Sequence, residues 1–312
     1  MDFIRMGNSG LKLSKVTFGS ALTIGTESLE QSYADSLIDE AWELGIRSFD
    51  VSNNYGMGSA ERLVAQSLKR YPRDEYVLST KGSWPIGESV YHRGLSRKHI
   101  MWAFEESLKR MDLDYVDVYY AHRYDPDTPM EEIVRTFNSL IESGRVRYWA
   151  TSEWPVEALE ECHRVCDRLG LEKPIIEQFI YSFAVRKAEN NGVMDFCRDH
   201  AVGTLGFSPL CQGFLTGKYR NGIPSGSRID KKDALKYDKT TNFYAQNKER
   251  IDGFLECCDK YGLRPVDVAI KWGIRKFVYP VLGASKPGQL SDTLLNIDNP
   301  VDEEIWKVFE AI

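Results

Sequence analysis

Eight short apolar runs, each stopping at a polar residue or a glycine, recur along this chain and restrict what it can fold into. Residues 16–18 stop at Gly19, 46–49 at Asp50, 77–80 at Lys81 and 116–121 at His122. The series continues with 146–151 stopping at Ser152, 175–177 at Gln178, 204–207 at Ser208 and 278–282 at Gly283. Helical patterns lie between most of these stops, at steps of roughly thirty to forty residues, which is the alternation a parallel sheet with helical crossovers requires. Eight such units in 312 residues predict an α/β fold, a closed (β/α)8 barrel whose chemistry gathers at the carboxyl ends of its strands. Asp50, Lys81 and His122 then share one rim.

Residues 3–6 and 11–13, joined through the turn residues 7–10, read as a hairpin ahead of the first barrel strand, capping the end remote from the chemistry. Leu29, Tyr33, Leu37, Ala41 and Leu44 recur at helical spacing and predict a first helix over 29–44, stopped by Gly45. Neither a Pro/Gly/Ser-rich linker nor a shift in composition divides the chain, so residues 1–312 are expected to form one domain. The longest stretch between strands, 208–277, carries a charged patch over 230–239 and helical patterns at 247–261 and 265–274.

The net charge of -6 gives no basic surface for nucleic acid or an anionic membrane. The first six residues lack the apolar core of a signal peptide, and no apolar run approaches the ~18 residues of a membrane span, so a cytoplasmic protein is expected. Cys162, Cys166, Cys197, Cys211, Cys257 and Cys258 fit no zinc-site or C-x-x-C spacing, so free thiols and no metal are expected.

Taken singly, Asp50 reads as a turn cap, Lys81 as a solvated lysine and His122 as a structural histidine. Their shared rim, with Tyr55 five residues past a strand end, favours chemistry. A phenol ionises near pH 10 and gives up its proton readily at neutral pH only if something favours its anion; an ammonium within hydrogen-bond reach does so. Asp50 would keep that lysine charged and aimed. The His122 imidazole could orient a carbonyl oxygen or share in the proton transfer. Gly56-Met57-Gly58-Ser59-Ala60-Glu61 has two glycines of a dinucleotide fingerprint but not the third, which makes a dinucleotide-binding domain the weaker reading.

With Asp50, Tyr55, Lys81 and His122 falling on its catalytic tetrad, the sequence resembles the aldo-keto reductases. The stretches Arg93-Gly94-Leu95-Ser96-Arg97-Lys98-His99-Ile100 and Asp125-Pro126-Asp127-Thr128-Pro129-Met130-Glu131-Glu132 are similar to the branch that contains voltage-gated potassium channel β-subunits. So are Gly217-Lys218-Tyr219, Gly222-Ile223-Pro224 and Leu282-Gly283-Ala284-Ser285, and the similarity runs from about residue 10 to 297. The resemblance implies a barrel reductase that binds NADPH, or NADP+, across its mouth and acts on a small-molecule aldehyde or ketone.

By the same resemblance, Gly19, Ser20 and Asp50 would lie against the cofactor, Ser152 and Gln178 would bond the nicotinamide carboxamide, and Phe207 would stack on the ring. Ser208, Pro209, Leu210, Gln212 and Gly213, with Lys218, would strap the pyrophosphate. Arg228, Gly283, Ser285, Lys286, Gln289 and Thr293 would surround the adenosine and its 2'-phosphate, where cationic side chains suit the extra charge. The chain departs from that branch at Phe207, where tryptophan is usual, and at Asp292 and Thr293, which replace a Glu-Asn pair. Glu153 replaces an arginine, which would disfavour acidic substrates, and His122 replaces an asparagine, which favours an active enzyme.

Leu22, Trp84 and Trp154, together with His122, would wall the substrate site. The alternative reading is an NADPH-binding partner of a potassium channel or other scaffold with little turnover. Neither nucleic acid nor membrane insertion is expected. The resemblance leaves a homo-oligomer open, since that branch often forms tetramers while many other members are monomers.

Overall fold

The computed structural model describes residues 1–227, 229–230 and 234–312, the side chains of 234–243 excepted. Ten strands are formed by the described residues. A small antiparallel pair, β1 (Phe3–Arg5) and β2 (Lys12–Ser14), precedes β3 (Thr17–Gly19), β4 (Ser48–Asp50), β5 (Val77–Gly82) and β6 (Val116–Ala121). β7 (Val146–Ser152), β8 (Ile176–Ile180), β9 (Gly203–Phe207) and β10 (Tyr279–Leu282) complete the set. β3 to β10 close into a barrel in the order β10-β3-β4-β5-β6-β7-β8-β9. This is the expected (β/α)8 fold with its hairpin.

Two compact units make up the chain. One comprises Met1–Phe179, Ala188–Leu205 and Val281–Leu290; the other comprises Ile180–Lys187, Gly206–Pro280 and Ser291–Ile312. In the first, parallel register sets Gly19 beside Asp50 and Ser152 beside Gln178, while Asp50 pairs with Ser79, two residues short of Lys81, so the residues that end these runs gather at the carboxyl ends of the strands within about one repeat of the pleat. The hairpin sits at the opposite ends of the strands. Ser14 Oγ lies 2.7 Å from Ser48 Oγ at the start of β4, and Asn8 N–H donates to the Ala201 carbonyl just ahead of β9.

The first helix is Gln31–Glu43, and its buried residues are Ala34, Leu37, Ile38 and Ala41. Leu29 precedes it and is exposed, so the apolar face is narrower than the spacing predicts. Gly45 follows the C-cap Leu44 with φ of 80°, a left-handed conformation that glycine adopts without a Cβ clash. Strand residues alternate sides. On β6, Tyr119 packs with Phe104 and Phe137, which in turn stacks on Trp149 of β7, while Tyr120, one residue on, lies close to Lys81.

The second unit has its own aromatic core. Phe183 contacts Phe254, Trp272 and Phe309 at centroid distances of 4.7, 4.8 and 5.8 Å, and the Arg186 guanidinium covers Phe183 and Trp272. Its helices are Ala234–Lys260, Pro265–Arg275 and Glu303–Glu310, with a short Gln289–Leu294 helix at the boundary of the two units. The first of these begins well before the pattern expected over 247–261.

Close packing at the end of β5 is testable. A Cβ on Gly82 would run into the Tyr119 hydroxyl, which is buried without a hydrogen-bond partner. Gly82→Ala should therefore cost about 2 kcal/mol in urea unfolding through overpacking. Tyr119→Phe should be near neutral alone and recover most of that loss in the double variant. A double variant as unstable as Gly82→Ala would show that the contact is not the cause.

Candidate functional site

β4 and β5 deliver the central group. Asp50, the last residue of β4, accepts from Ser79 Oγ at 2.8 Å through Oδ1 and from Lys81 Nζ at 2.5 Å through Oδ2. Lys81 lies two residues beyond Ser79 on the same strand, hence on the same side of the sheet. Its ammonium is fully buried and also donates to the Val51 carbonyl at 3.0 Å and to Tyr55 Oη at 3.2 Å. An ammonium has three protons to give, and each has an acceptor. Burial works against its charge, but Asp50 and Tyr55 outweigh this and raise the Lys81 pKa.

Tyr55 follows β4 after a four-residue connection and opens a 3-10 turn, Tyr55–Gly58. Gly56 has φ of 55°, and a Cβ there would meet the Gly25 carbonyl. This glycine is thus explained by a close approach of backbone, not by phosphate binding. Since Tyr55 Oη accepts from Lys81, its own proton remains available to a further acceptor. Desolvation raises its pKa above the ordinary phenol value, and the Lys81 charge is the largest influence in the opposite direction.

His122 follows β6 directly, with its ring centroid 5.9 Å from that of Tyr55 and 6.2 Å from that of Trp84. Desolvation, then the Lys81 and Arg123 charges, hold its pKa well below the usual imidazole value, so the ring is neutral at pH 7. Its Nδ1 lies 3.2 Å from Ser52 Oγ, which donates its own proton to Asn54 Oδ1 at 2.7 Å. With that proton on Asn54, Nδ1–H donates to Ser52 Oγ and Nε2 is an acceptor; turned instead to Nδ1, the Ser52 proton leaves Nε2–H as the ring's donor.

β7 and β8 add Ser152 and Gln178, both buried. Gln178 Nε2 has no hydrogen-bond partner, a buried donor of the kind a ligand carbonyl would satisfy. Gly19 lies against Val281, while Ser20 donates through both N–H and Oγ to the Asp50 carbonyl. Ser285 donates through N–H and Oγ to Gln289 Oε1, at 2.8 and 3.1 Å, beside exposed Gly283 and Lys286.

In the second unit, the segment after Phe207 turns on left-handed residues. Ser208, Cys211, Gln212 and Gly213 have φ of 58°, 53°, 56° and 97°, and Cys211–Thr216 forms a 3-10 turn. Non-glycine residues rarely adopt such angles, and they recur where function holds a backbone in place. The missing Cβ of Gly213 admits Lys218. Thr293 is buried, and Asp292 pairs with Arg264 at 3.0 Å. Arg228 lies outside the described residues, as does part of the charged patch at 230–239.

Of the residues expected to wall a pocket, Leu22 and Trp84 are exposed, at 49% and 40%. Trp154 is buried, and its indole donates to the Ala121 carbonyl at 3.1 Å. Three residues that the sequence reading passed over also matter here: Ser52, Arg123 and Glu177. Arg123 Nη1 donates to the His122 carbonyl at 2.5 Å and to Ser152 Oγ at 3.1 Å. Glu177 Oε1 accepts from Trp154 N–H at 3.1 Å and thereby anchors the turn after β7, whereas its buried Oε2 has no partner. The six cysteines are buried free thiols. Among the described residues no His, Cys, Asp and Glu cluster could hold a metal, and no helix is long and apolar enough to cross a membrane.

A parallel barrel with a buried ammonium, a carboxylate, a phenol and a neutral imidazole at its carboxyl rim defines a proton-handling site of the (β/α)8 class. Residues 15–312 match the aldo/keto reductase family, and the chain belongs to it, a family of oxidoreductases whose cofactor is NADP. The chain is 34% identical to a Schizosaccharomyces pombe protein, across 100% of this chain and 93% of that one. It is 35% identical to an Arabidopsis thaliana protein and 34% identical to one from Oryza sativa subsp. japonica, in both cases across 96% of this chain and 92% of the relative. All three are provisionally named voltage-gated potassium channel subunit beta.

Glu177 gives the site a pH signature. Burial pushes its carboxyl up to about 8, against the Thr151 hydroxyl and the Trp154 amide, which favour ionisation. A carboxyl whose pKa is raised on folding contributes most to stability below its unfolded value, 4.5, and that contribution is lost as the pH rises through about 8. Glu177→Gln should therefore gain stability over the parent between pH 5 and 8, by on the order of a few kcal/mol, and level off above. Urea titrations across this range that show a constant difference would refute the assignment.

Proposed function

We propose that the protein reduces aldehydes or ketones to alcohols with NADPH, and that Tyr55 supplies the proton. The observation that carries this reading is the Lys81 ammonium donating to Tyr55 Oη while Asp50 holds its charge. That arrangement leaves the phenol proton free to pass to a substrate oxygen and stabilises the phenolate left behind. Bound NADPH would supply the hydride from its nicotinamide C4. His122, neutral and with Nε2–H as donor, would orient the carbonyl oxygen; this role needs the Ser52 proton to turn from Asn54 Oδ1 to Nδ1.

In this reading, Ser152 and the unpartnered Gln178 amide hold the nicotinamide carboxamide, and Phe207 supplies an aromatic face. The 208–213 segment and Lys218 hold the pyrophosphate, with Gly283, Ser285, Lys286 and Gln289 towards the 2'-phosphate. Leu22 and Trp84 are the exposed apolar groups on offer to a substrate, and residues 1–312 act as one domain. The names of the relatives favour one other reading, a cofactor-binding partner of a channel that turns over little.

Tyr55→Phe should lower kcat by about 10²–10⁴-fold while NADPH still binds, as followed by cofactor absorbance and fluorescence titration. Unchanged turnover would remove Tyr55 as proton donor. Tight NADPH binding by the parent without turnover of any carbonyl in a broad panel would favour the channel-partner reading. Lys286→Ala should weaken NADPH more than NADH, by about tenfold for one lost charge-assisted bond. Equal weakening of both would place Lys286 away from the 2'-phosphate.

A further inference from the structure

The guanidinium of Arg123 stands out for what it lacks. In the same unit, the partly buried arginines Arg73, Arg110 and Arg145 are each given a carboxylate, by Asp117 at 2.7 Å, Glu61 at 2.6 Å and Glu105 respectively, while Arg47, which has none, lies over the Trp42 ring and donates to the Trp42 and Ile46 carbonyls. Arg123 is partly buried too and has lost enough hydration to depress its pKa, yet among the described residues no carboxylate lies within ion-pair distance. Its hydrogen bonds run from Nη1 to two neutral acceptors, the His122 carbonyl and Ser152 Oγ. The Nε and Nη2 edge makes none. A charge taken out of water without a counter-ion is costly, and proteins retain such groups where a ligand completes them.

Position says what the ligand is. Arg123 follows His122 directly at the carboxyl end of β6, and its guanidinium carbon lies 5.4 Å from the centroid of the exposed Trp84 ring. Its charge is felt by both Tyr55 and His122, the two groups assigned to the carbonyl oxygen. The unused Nε/Nη2 edge is a planar fork that fits the two oxygens of a carboxylate. Glu153 also acts on Arg123 electrostatically from beyond contact distance, which leaves room for a monoanion and disfavours a phosphate dianion. Glu153 alone would turn acidic substrates away; Arg123 reverses that expectation.

Resting on the reductase reading above, we propose that Arg123 is a specificity-determining residue that selects carbonyl substrates bearing a carboxylate. The test compares 4-carboxybenzaldehyde with its methyl ester as substrates for NADPH oxidation. The parent should favour the acid in kcat/KM by about tenfold. Arg123→Met should lower kcat/KM for the acid about tenfold more than for the ester, and Arg123→Lys should retain part of the preference as a point charge without the fork. Equal or better use of the ester by the parent, or the same fractional loss on both substrates in Arg123→Met, would overturn the proposal.

Calorimetric titration of benzoate into protein saturated with NADP+ separates this site from the reductase reading. If neither aldehyde turns over, the reductase reading fails, but benzoate should still bind the parent about tenfold more tightly than Arg123→Met. Equal benzoate affinity in the two proteins would overturn the anion site whatever the turnover.

Discussion

A buried ammonium is the constraint from which the rest of the rim follows. Lys81 has no access to water, so its charge survives only because three acceptors meet its three protons, one of them a carboxylate. Two of these acceptors, Asp50 and the Val51 carbonyl, come from the end of β4, and parallel pairing puts β4 beside β5. The third is the Tyr55 hydroxyl, which the turn after β4 brings back over the lysine. Removing any one of them would leave a proton of a desolvated cation unmet, a larger penalty than the loss of an ordinary hydrogen bond.

That local solution has consequences at the neighbouring strand ends. The positive charge that counters the desolvation of the Tyr55 phenolate also opposes protonation of His122, so two groups that share the rim are driven to different roles. Arg123 adds a second positive charge without a matching anion. The rim of this unit is therefore more positive locally than a net charge of -6 suggests, because acids that contribute to the total lie away from it, several of them paired on the outer surface. Arg70 with Asp39 and Arg275 with Glu303 are two such pairs.

Much of this was legible in the sequence because a parallel barrel writes its active rim into its periodicity. Most of the runs end close to where a strand ends, so the residues that stop them are also the ones brought to one rim; β8 is the exception, running on past Gln178 to Ile180. Register then needs no long-range information: Asp50, Lys81 and His122 could be placed together from local patterns alone. The hairpin and the glycine stop of the first helix were readable for the same reason, each being set by a few adjacent residues. Leu29 shows the limit, because helical spacing says which positions could share a face and not where the helix starts.

What escaped the sequence are properties of groups defined by what surrounds them. The glycine at position 56 looks like part of a phosphate loop until the Gly25 backbone is seen beside it. The Glu177 carboxyl is one acid among 46 acidic residues until burial keeps it protonated near neutral pH. Trp154 reads as a loop aromatic, yet its indole is tied down beneath the surface by the Ala121 carbonyl. Arg123 is the sharpest case, since its sequence neighbours announce no shortage of acids: Asp125 and Asp127 follow within four residues. Only in the fold does Asp125 turn elsewhere, accepting from Leu95 N–H and Thr128 Oγ1, and neither acid comes within ion-pair distance of Arg123. An unmet charge is a relation between a side chain and its whole environment, and no window along the chain contains it.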